Sequence, residues 1–192
     1  MYYSRNVLEH SIFDLIDKSE QFDTDNSHYK ALRANINTFI SKTISQHTAH
    51  TILEVGPKRN KIDRIQSTDN TVETVDIVND NDTTYVADLT TENILPKHYF
   101  DAIYCLEVLE HTYEPWTVLK ELHSLLKEGG KLYLSFPFQF RIHGPLPDNY
   151  RISEFGIRYL LEKYKFKIVA FDALIDSSRP AFPVHYTIAC IK

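Results

Sequence analysis

At 192 residues the chain has the length of one domain, and 43% apolar residues supply enough for a sizeable core, which argues against intrinsic disorder. Lys and Arg number 21 against 26 Asp and Glu, and the resulting net charge of -5 argues against a broad nucleic-acid surface. The 5 glycines fall below the ~13 of average usage and form no G-x-G, which excludes a P-loop and a full G-x-G-x-x-G dinucleotide fingerprint.

The opening segment, MYYSRNVLEHSIFDLID, is interrupted by charge and carries no signal-peptide apolar block. No run approaches the ~18 apolar residues of a spanning helix, so a cytoplasmic protein that does not cross a membrane is expected. A helix is expected over about residues 6–18. A second is expected from an N-cap at Ser27, because Tyr29, Leu32, Ile36, Phe39, Ile40 and Ile44 recur at three- and four-residue steps. Residues 1–50 read as a helical extension packed on the same domain, and 51–192 as the core domain.

From residue 51 short β-rich runs alternate with polar stretches. Strands are expected at Thr51–Val55, Val72–Ile77, Thr84–Asp88, Phe100–Leu106 and Lys131–Pro137. Between the last two, Glu114–Lys127 reads as a helix with Trp116, Leu119, Leu122, Leu125 and Leu126 on one face, stopped by Gly129-Gly130. Ser153 opens another helix through about Tyr164, and two strands near 167–174 and 184–191 close the chain. This order predicts an α/β fold with a mostly parallel sheet covered on both faces. The nine residues between the last two strands are too few for a parallel crossover of ~10–12 or more, so that pair should be antiparallel. Cys105 and Cys190, each in an apolar run, read as small buried thiols.

In open α/β sheets ligands sit outside the carboxyl ends of the strands. Those ends here carry Glu54-Val55-Gly56, Asp76, Asp88-Leu89, Glu107-Val108-Leu109-Glu110-His111, and a loop leading from Pro137 to His143. An acid ending the second strand suits the two hydroxyls of a ribose. A pyrophosphate needs further glycines for close backbone approach, whereas a nucleoside without phosphates needs one tight turn, which Gly56 supplies. An acidic rim favours a ligand bearing an ammonium and a sulfonium. The residues therefore point to S-adenosylmethionine and away from NAD.

The stretches LEVG, TVDI, YVADL and above all FDAIYCLEVLEHTYEPWTVLKELHSLLKEGGKLYLSFPF resemble class I S-adenosylmethionine-dependent methyltransferases, in the small branch with an E-V-L-E-H segment. HGPLPDNYRIS is similar to that branch's histidine-to-arginine loop, and the likeness covers about residues 51–191. The resemblance implies a Rossmann-like sheet of seven strands with an antiparallel last strand. It also implies that Glu54 and Gly56 flank the methionine part of the cofactor and that Asp76 holds the ribose. Asp88 and the Leu89 amide would read the adenine, and the Leu106 carbonyl would meet the ammonium. Pro57, Lys58 and Arg59 depart from the further glycines usual in the family.

A hydroxyl acceptor must lose a proton as its oxygen is methylated, and His111 and His143 are the candidate bases. Tyr150 and Arg151 are candidate substrate contacts; Arg151 would clamp an anion or pair with Asp148. Glu107, Glu110 and His111 would share one face of a helical turn and could take a divalent ion, with His143 completing the set. Tyr133, Phe136, Phe138, Phe140 and Tyr150 form an aromatic group divided between core and acceptor side. The reading is O-methylation of a small molecule or glycan precursor. Its alternatives are a binding module that has lost turnover and a metal-dependent RNA 2′-O-methyltransferase, with a nicotinamide oxidoreductase as an outsider.

Overall fold

The computed structural model describes residues 27–57, 69–79, 83–144 and 147–192. The helix expected near 6–18 and the Lys58-Arg59 part of the first loop lie outside the described residues. Helix α1 spans Ser27–Ile44 and leads into β1 (Thr51–Val55), β2 (Thr71–Asp76), β3 (Tyr85–Val86) and β4 (Phe100–Leu106). A short 3-10 turn at Leu109–His111 precedes α2 (Pro115–Leu125) and β5 (Leu126–Pro137); α3 (Glu154–Lys163), β6 (Lys167–Ile175) and β7 (Pro183–Ile191) complete the order.

The strands form one seven-stranded sheet in the order β3-β2-β1-β4-β5-β7-β6. β1 to β5 run parallel, while β7 is antiparallel to both β5 and β6, as the short connector required. Alternation along each strand divides the core in two. On one face α2 and α3 cover a cluster that includes Leu53, Val55, Ile103, Leu119, Leu134 and Ile157. On the other, α1 lays Leu32, Ile36, Phe39, Ile40 and Ile44 over Ile52, Tyr104, Leu106 and Tyr133. The apolar stripe of α1 is thus a core-facing stripe, with Tyr29 at its exposed start, 6.5 Å from the Phe140 ring.

Three elements differ from expectation. The α2 helix stops at Leu125, because Leu126 is already extended and pairs with Phe100. Gly129 and Gly130 therefore lie inside β5 and do not cap the helix. A Cβ on Gly130 would sit 2.8 Å from the Lys127 carbonyl oxygen, so this close backbone approach requires glycine. β3 shrinks to two residues, since Thr74 and Thr84 exchange amide-to-hydroxyl bonds (3.0 and 2.9 Å) where a longer ladder would continue. Trp116 is 39% exposed at the start of α2, where it meets Tyr150 and not the core. Ser153 caps α3 as expected, accepting from the Gly156 amide. The buried Cys105 and Cys190 are not joined by a disulfide. Among the described residues no helix is long and apolar enough to cross a membrane.

Where α1 ends, His47 is buried between His50 (Nδ1 to Nδ1, 2.8 Å) and the Tyr133 hydroxyl (2.9 Å from Nε2). Burial, reinforced by Lys131, lowers its pKa to about 4, so the folded protein holds the ring neutral. An unfolded chain binds that proton near pH ~6.5. Stability should therefore fall as pH drops from ~6.5 to about 4 and flatten below, where both states are protonated. Urea midpoints across this window should fall in the native chain and fall less steeply in His47→Gln.

Candidate active site

Between β1 and β4 the order of the sheet reverses, and a cavity of about 250 Å³ opens at their carboxyl ends. Val55, Val75, Val108 and Val118 form its apolar floor. Gly56, Asp76, Asp88, Leu89, Glu107 and His111 stand on its rim, with Tyr113 and Pro147 beyond them. Three acidic residues line this space, and no lysine or arginine is in its wall among the described residues.

Each rim residue is set by local backbone chemistry. Gly56 turns at φ +63°, its amide bonds the Val75 carbonyl at 2.8 Å, and an added Cβ would press on Val108 at 3.0 Å. Asp76 ends β2 and accepts the Val78 amide at 3.2 Å through Oδ1. Asp88 Oδ1 accepts both the amide (2.8 Å) and hydroxyl (2.7 Å) of Thr90, which fixes its turn. Leu89 is buried beside it at the cavity edge.

Glu54 and Leu106 are not in the cavity wall. Strand alternation turns Glu54 to the α1 face with Ile52, opposite Val55, and leaves it 5% exposed. The Leu106 side chain packs under α1, so only its backbone is available to a ligand.

His111 and His143 do come together, ring centroids 4.8 Å apart and edge to face. His111 Nδ1 lies 2.9 Å from the Pro147 carbonyl oxygen, which makes Nδ1 the protonated nitrogen of the neutral ring and Nε2 the basic one. His143 Nδ1 lies 3.0 Å from Asp148 Oδ2, whose oxygen also accepts the His143 amide. Burial alone would raise the Asp148 pKa, but bonds from Arg151 and His143 hold the carboxyl well below the usual range.

Glu110 is 1% exposed behind His111, and its carboxyl makes no hydrogen bond to a described residue; Oε1 is 3.6 Å from His111 Nε2. Burial, with Glu107 nearby, pushes its pKa well up. The group that could hold a cation is Glu110, His111 and His143, with ligating atoms within 4.8 Å of one another. Glu107 is not in it, unlike in the Glu107, Glu110 and His111 set that the spacing allowed as an option. The helical turn starts only at Leu109, and Glu107 sits at φ +56° with its carboxylate turned to Ser135 and His185.

Arg151 adopts the ion-pair alternative. It grips Asp148 with two nitrogens, and its other bonds go to the carbonyls of Phe140, Arg141 and Tyr150. It is a strut for the 140–151 loop and not an anion clamp. The Tyr150 hydroxyl donates to the Tyr113 carbonyl at 3.0 Å and its ring meets Trp116, which places it on the outer rim. Tyr133 and Phe136 are core; Phe138 and Phe140 are half-buried. Sequence reasoning missed His185, which reaches Glu107 from β7, and Asn35, which bonds His185; the signal was a histidine inside the apolar run PVHYTIACI. Because Asp148 has no side-chain exposure and Arg151 has 23%, Arg151→Met should cost about 2–3 kcal/mol, below the ~3–5 of a fully buried pair. Thermal unfolding should register that loss whatever ligand is present.

The methyltransferase-domain family model matches residues 42–134. Over 85 residues the chain is 35% identical to a ubiquinone biosynthesis O-methyltransferase of Xanthomonas axonopodis pv. citri (strain 306), a stretch of 44% of this chain and 32% of that protein. The match thus spans about a third of that curated relative. Among solved structures, a SAM dependent methyltransferase from Archaeoglobus fulgidus superposes with a TM-score of 0.67 at 16% identity, covering 95% of this chain and all of that one. The 1,6-didemethyltoxoflavin-N1-methyltransferase of Burkholderia thailandensis gives a TM-score of 0.62 at 16% identity, covering 100% and 92%. Identity at that level shows shared fold, and it is the fold that the strand order and its cleft had already indicated. The domain match thus covers the cleft's own strands β1 to β4 and most of β5, a little under half of the chain, and over those strands the chain is similar to the methyltransferase domain.

Proposed function

We propose that this chain binds S-adenosylmethionine and transfers its methyl group to an oxygen of a small molecule. The observation that carries this is the cavity wall at the switch point, with Asp76, Asp88 and Glu107 present and lysine and arginine lacking among the described residues. Such a wall attracts a cationic nucleoside and repels a pyrophosphate. The cradle fits the cofactor: Gly56 keeps the turn open where a Cβ would meet Val108, and two strand-end carboxylates stand on one side. Oxygen as acceptor is supported by the O-methyltransferase relatives over the matched third of their length.

In this reading Asp76 accepts the ribose hydroxyls, Asp88 and the Leu89 amide read the adenine, and the Leu106 carbonyl meets the ammonium. Glu54 is left a supporting role beneath the turn. When bound, the cofactor supplies a methyl group activated on a sulfonium. Transfer is an in-line displacement, so holding the acceptor oxygen in line carries much of the rate. The acceptor's O–H bond is relieved of its proton by His111, whose Nε2 is basic because Nδ1 donates to Pro147. His143, fixed by Asp148, packs on His111 and keeps its ring in place. Tyr150 and half-buried Phe140 border the acceptor side, where a ring or sugar can stack; glycan precursors belong in the acceptor screen. The Glu110, His111 and His143 group favours one variant of this reading, in which a divalent ion aids the acceptor. Turnover that survives a chelator would remove that variant.

Isothermal titration of the full chain with S-adenosylmethionine should give micromolar-range binding. Asp76→Ala should weaken it by roughly 1–3 kcal/mol, the scale of lost hydrogen bonds to a charged group. No heat at millimolar cofactor would overturn the reading, and an unchanged affinity in the variant would remove Asp76 from the site.

A further inference from the structure

Beneath α1 lies a line of polar side chains that methyl transfer, as described above, does not use. Asn35 Nδ2 is 3.1 Å from His185 Nδ1, His185 Nε2 is 2.8 Å from Glu107 Oε1, and the Ser135 hydroxyl donates to the same oxygen at 2.7 Å. His185 is completely buried, whereas Glu107 keeps 16% of its side chain exposed in the cavity wall.

With Glu107 ionised and Asn35 Nδ2 toward His185, these contacts allow one arrangement of protons. An ionised carboxylate only accepts, so His185 must present Nε2–H to Glu107. The neutral ring then has a lone pair at Nδ1, which the Asn35 amide can fill as a donor. The bonds thus run in one direction, from α1 through β7 to the residue that follows β4. Glu107 itself holds φ +56°, a left-handed conformation uncommon for a residue with a side chain. Its amide bonds the Ser135 carbonyl at 2.9 Å, so backbone and carboxylate are both tied to β5. Strained backbone with one carboxylate oxygen held by two donors is an arrangement that orients a group toward a ligand.

We propose that Asn35 and His185 are positioning residues that hold the Glu107 carboxylate oriented in the cavity wall, and that α1 thereby takes part in recognising the cationic amino-acid portion of the ligand. This rests on the cofactor reading above and assigns it a further anchor. His185 and Asn35 act through Glu107 and need not touch the ligand.

Titration calorimetry with S-adenosylmethionine on the full chain tests this through a double-mutant cycle of Asn35→Leu and Glu107→Gln. Asn35→Leu alone should weaken binding ~3–10-fold, the effect of losing about one hydrogen bond. In the Glu107→Gln background the same change should alter affinity less than ~2-fold. Equal losses in both backgrounds would overturn the relay, as would His185→Leu binding like the native chain. His185→Gln, which keeps a donor toward Glu107, should recover part of what His185→Leu loses. Nitrogen-15 NMR of the ligand-free chain supplies a readout independent of binding: His185 should carry its proton on Nε2, and a proton on Nδ1 alone overturns the proposal. A native chain that binds no cofactor, yet shows the Nε2–H signature, would strike the functional reading and the recognition role together while leaving the relay's geometry standing.

Discussion

Everything at the site depends on the parallel pairing of β1 with β4, Val55 beside Cys105, in the middle of the sheet. From that seam the order runs to β2 and β3 on one side and to β5, β7 and β6 on the other. The chain leaving β1 and the chain leaving β4 therefore diverge, and a crevice opens between them. Gly56 and Glu107 are the first residues past those two strands, and both take positive φ. The left-handed turns bend the chain sharply at the strand ends and keep the crevice open. Parallel register then brings Asp76 to the same rim as Gly56, and the Ala87 amide bond to the Asp76 carbonyl carries Asp88 there too.

Several polar groups near the crevice are held by more than one bond, which is what a low-dielectric setting demands. Asp148 is the clearest case. It receives two bonds from Arg151 and one from the His143 amide, and it lies beside the His143 ring. Arg151 in turn ties down the carbonyls of Phe140 and Arg141, so one partly buried ion pair links residues 140–141 to 148–151. Glu110 is the contrast, a buried carboxyl without a described hydrogen bond, kept protonatable by its surroundings. The loop supports the imidazoles; the strands support the carboxylates.

The family match ends at residue 134 and begins at 42. Gly56, Asp76, Asp88, Glu107 and His111 fall inside it, whereas Asn35, His143, Tyr150, Arg151 and His185 fall outside. The division follows function as proposed: the matched strands build the nucleoside side of the cavity, the unmatched loop brings His143 and Tyr150 to the acceptor side, and the unmatched helix and last strand hold Glu107. The whole-chain superpositions at 16% identity show the shared fold.

Much of this was legible in the amino-acid order. Short runs rich in β-branched and aromatic residues marked the strands, though not the bounds of β3 and β5, the stripe of α1 marked its buried face, and the nine-residue connector settled the antiparallel pairing of β6 with β7. Asp76 and Asp88 were readable because a residue at a strand's carboxyl end has a known rim to occupy. What linear pattern could not convey was direction and partnership. Glu54 sits one position from Val55 and so faces the opposite side of the sheet. Glu107 turns away from Glu110 because a positive φ breaks the helical turn that spacing suggested. Arg151 is spoken for by Asp148, and His185 meets Glu107 across 78 positions of chain. Periodicity is a property of neighbours along the backbone, so it encodes elements and faces; hydrogen-bond partners arise only when distant strands are brought side by side, and that the folded chain alone decides.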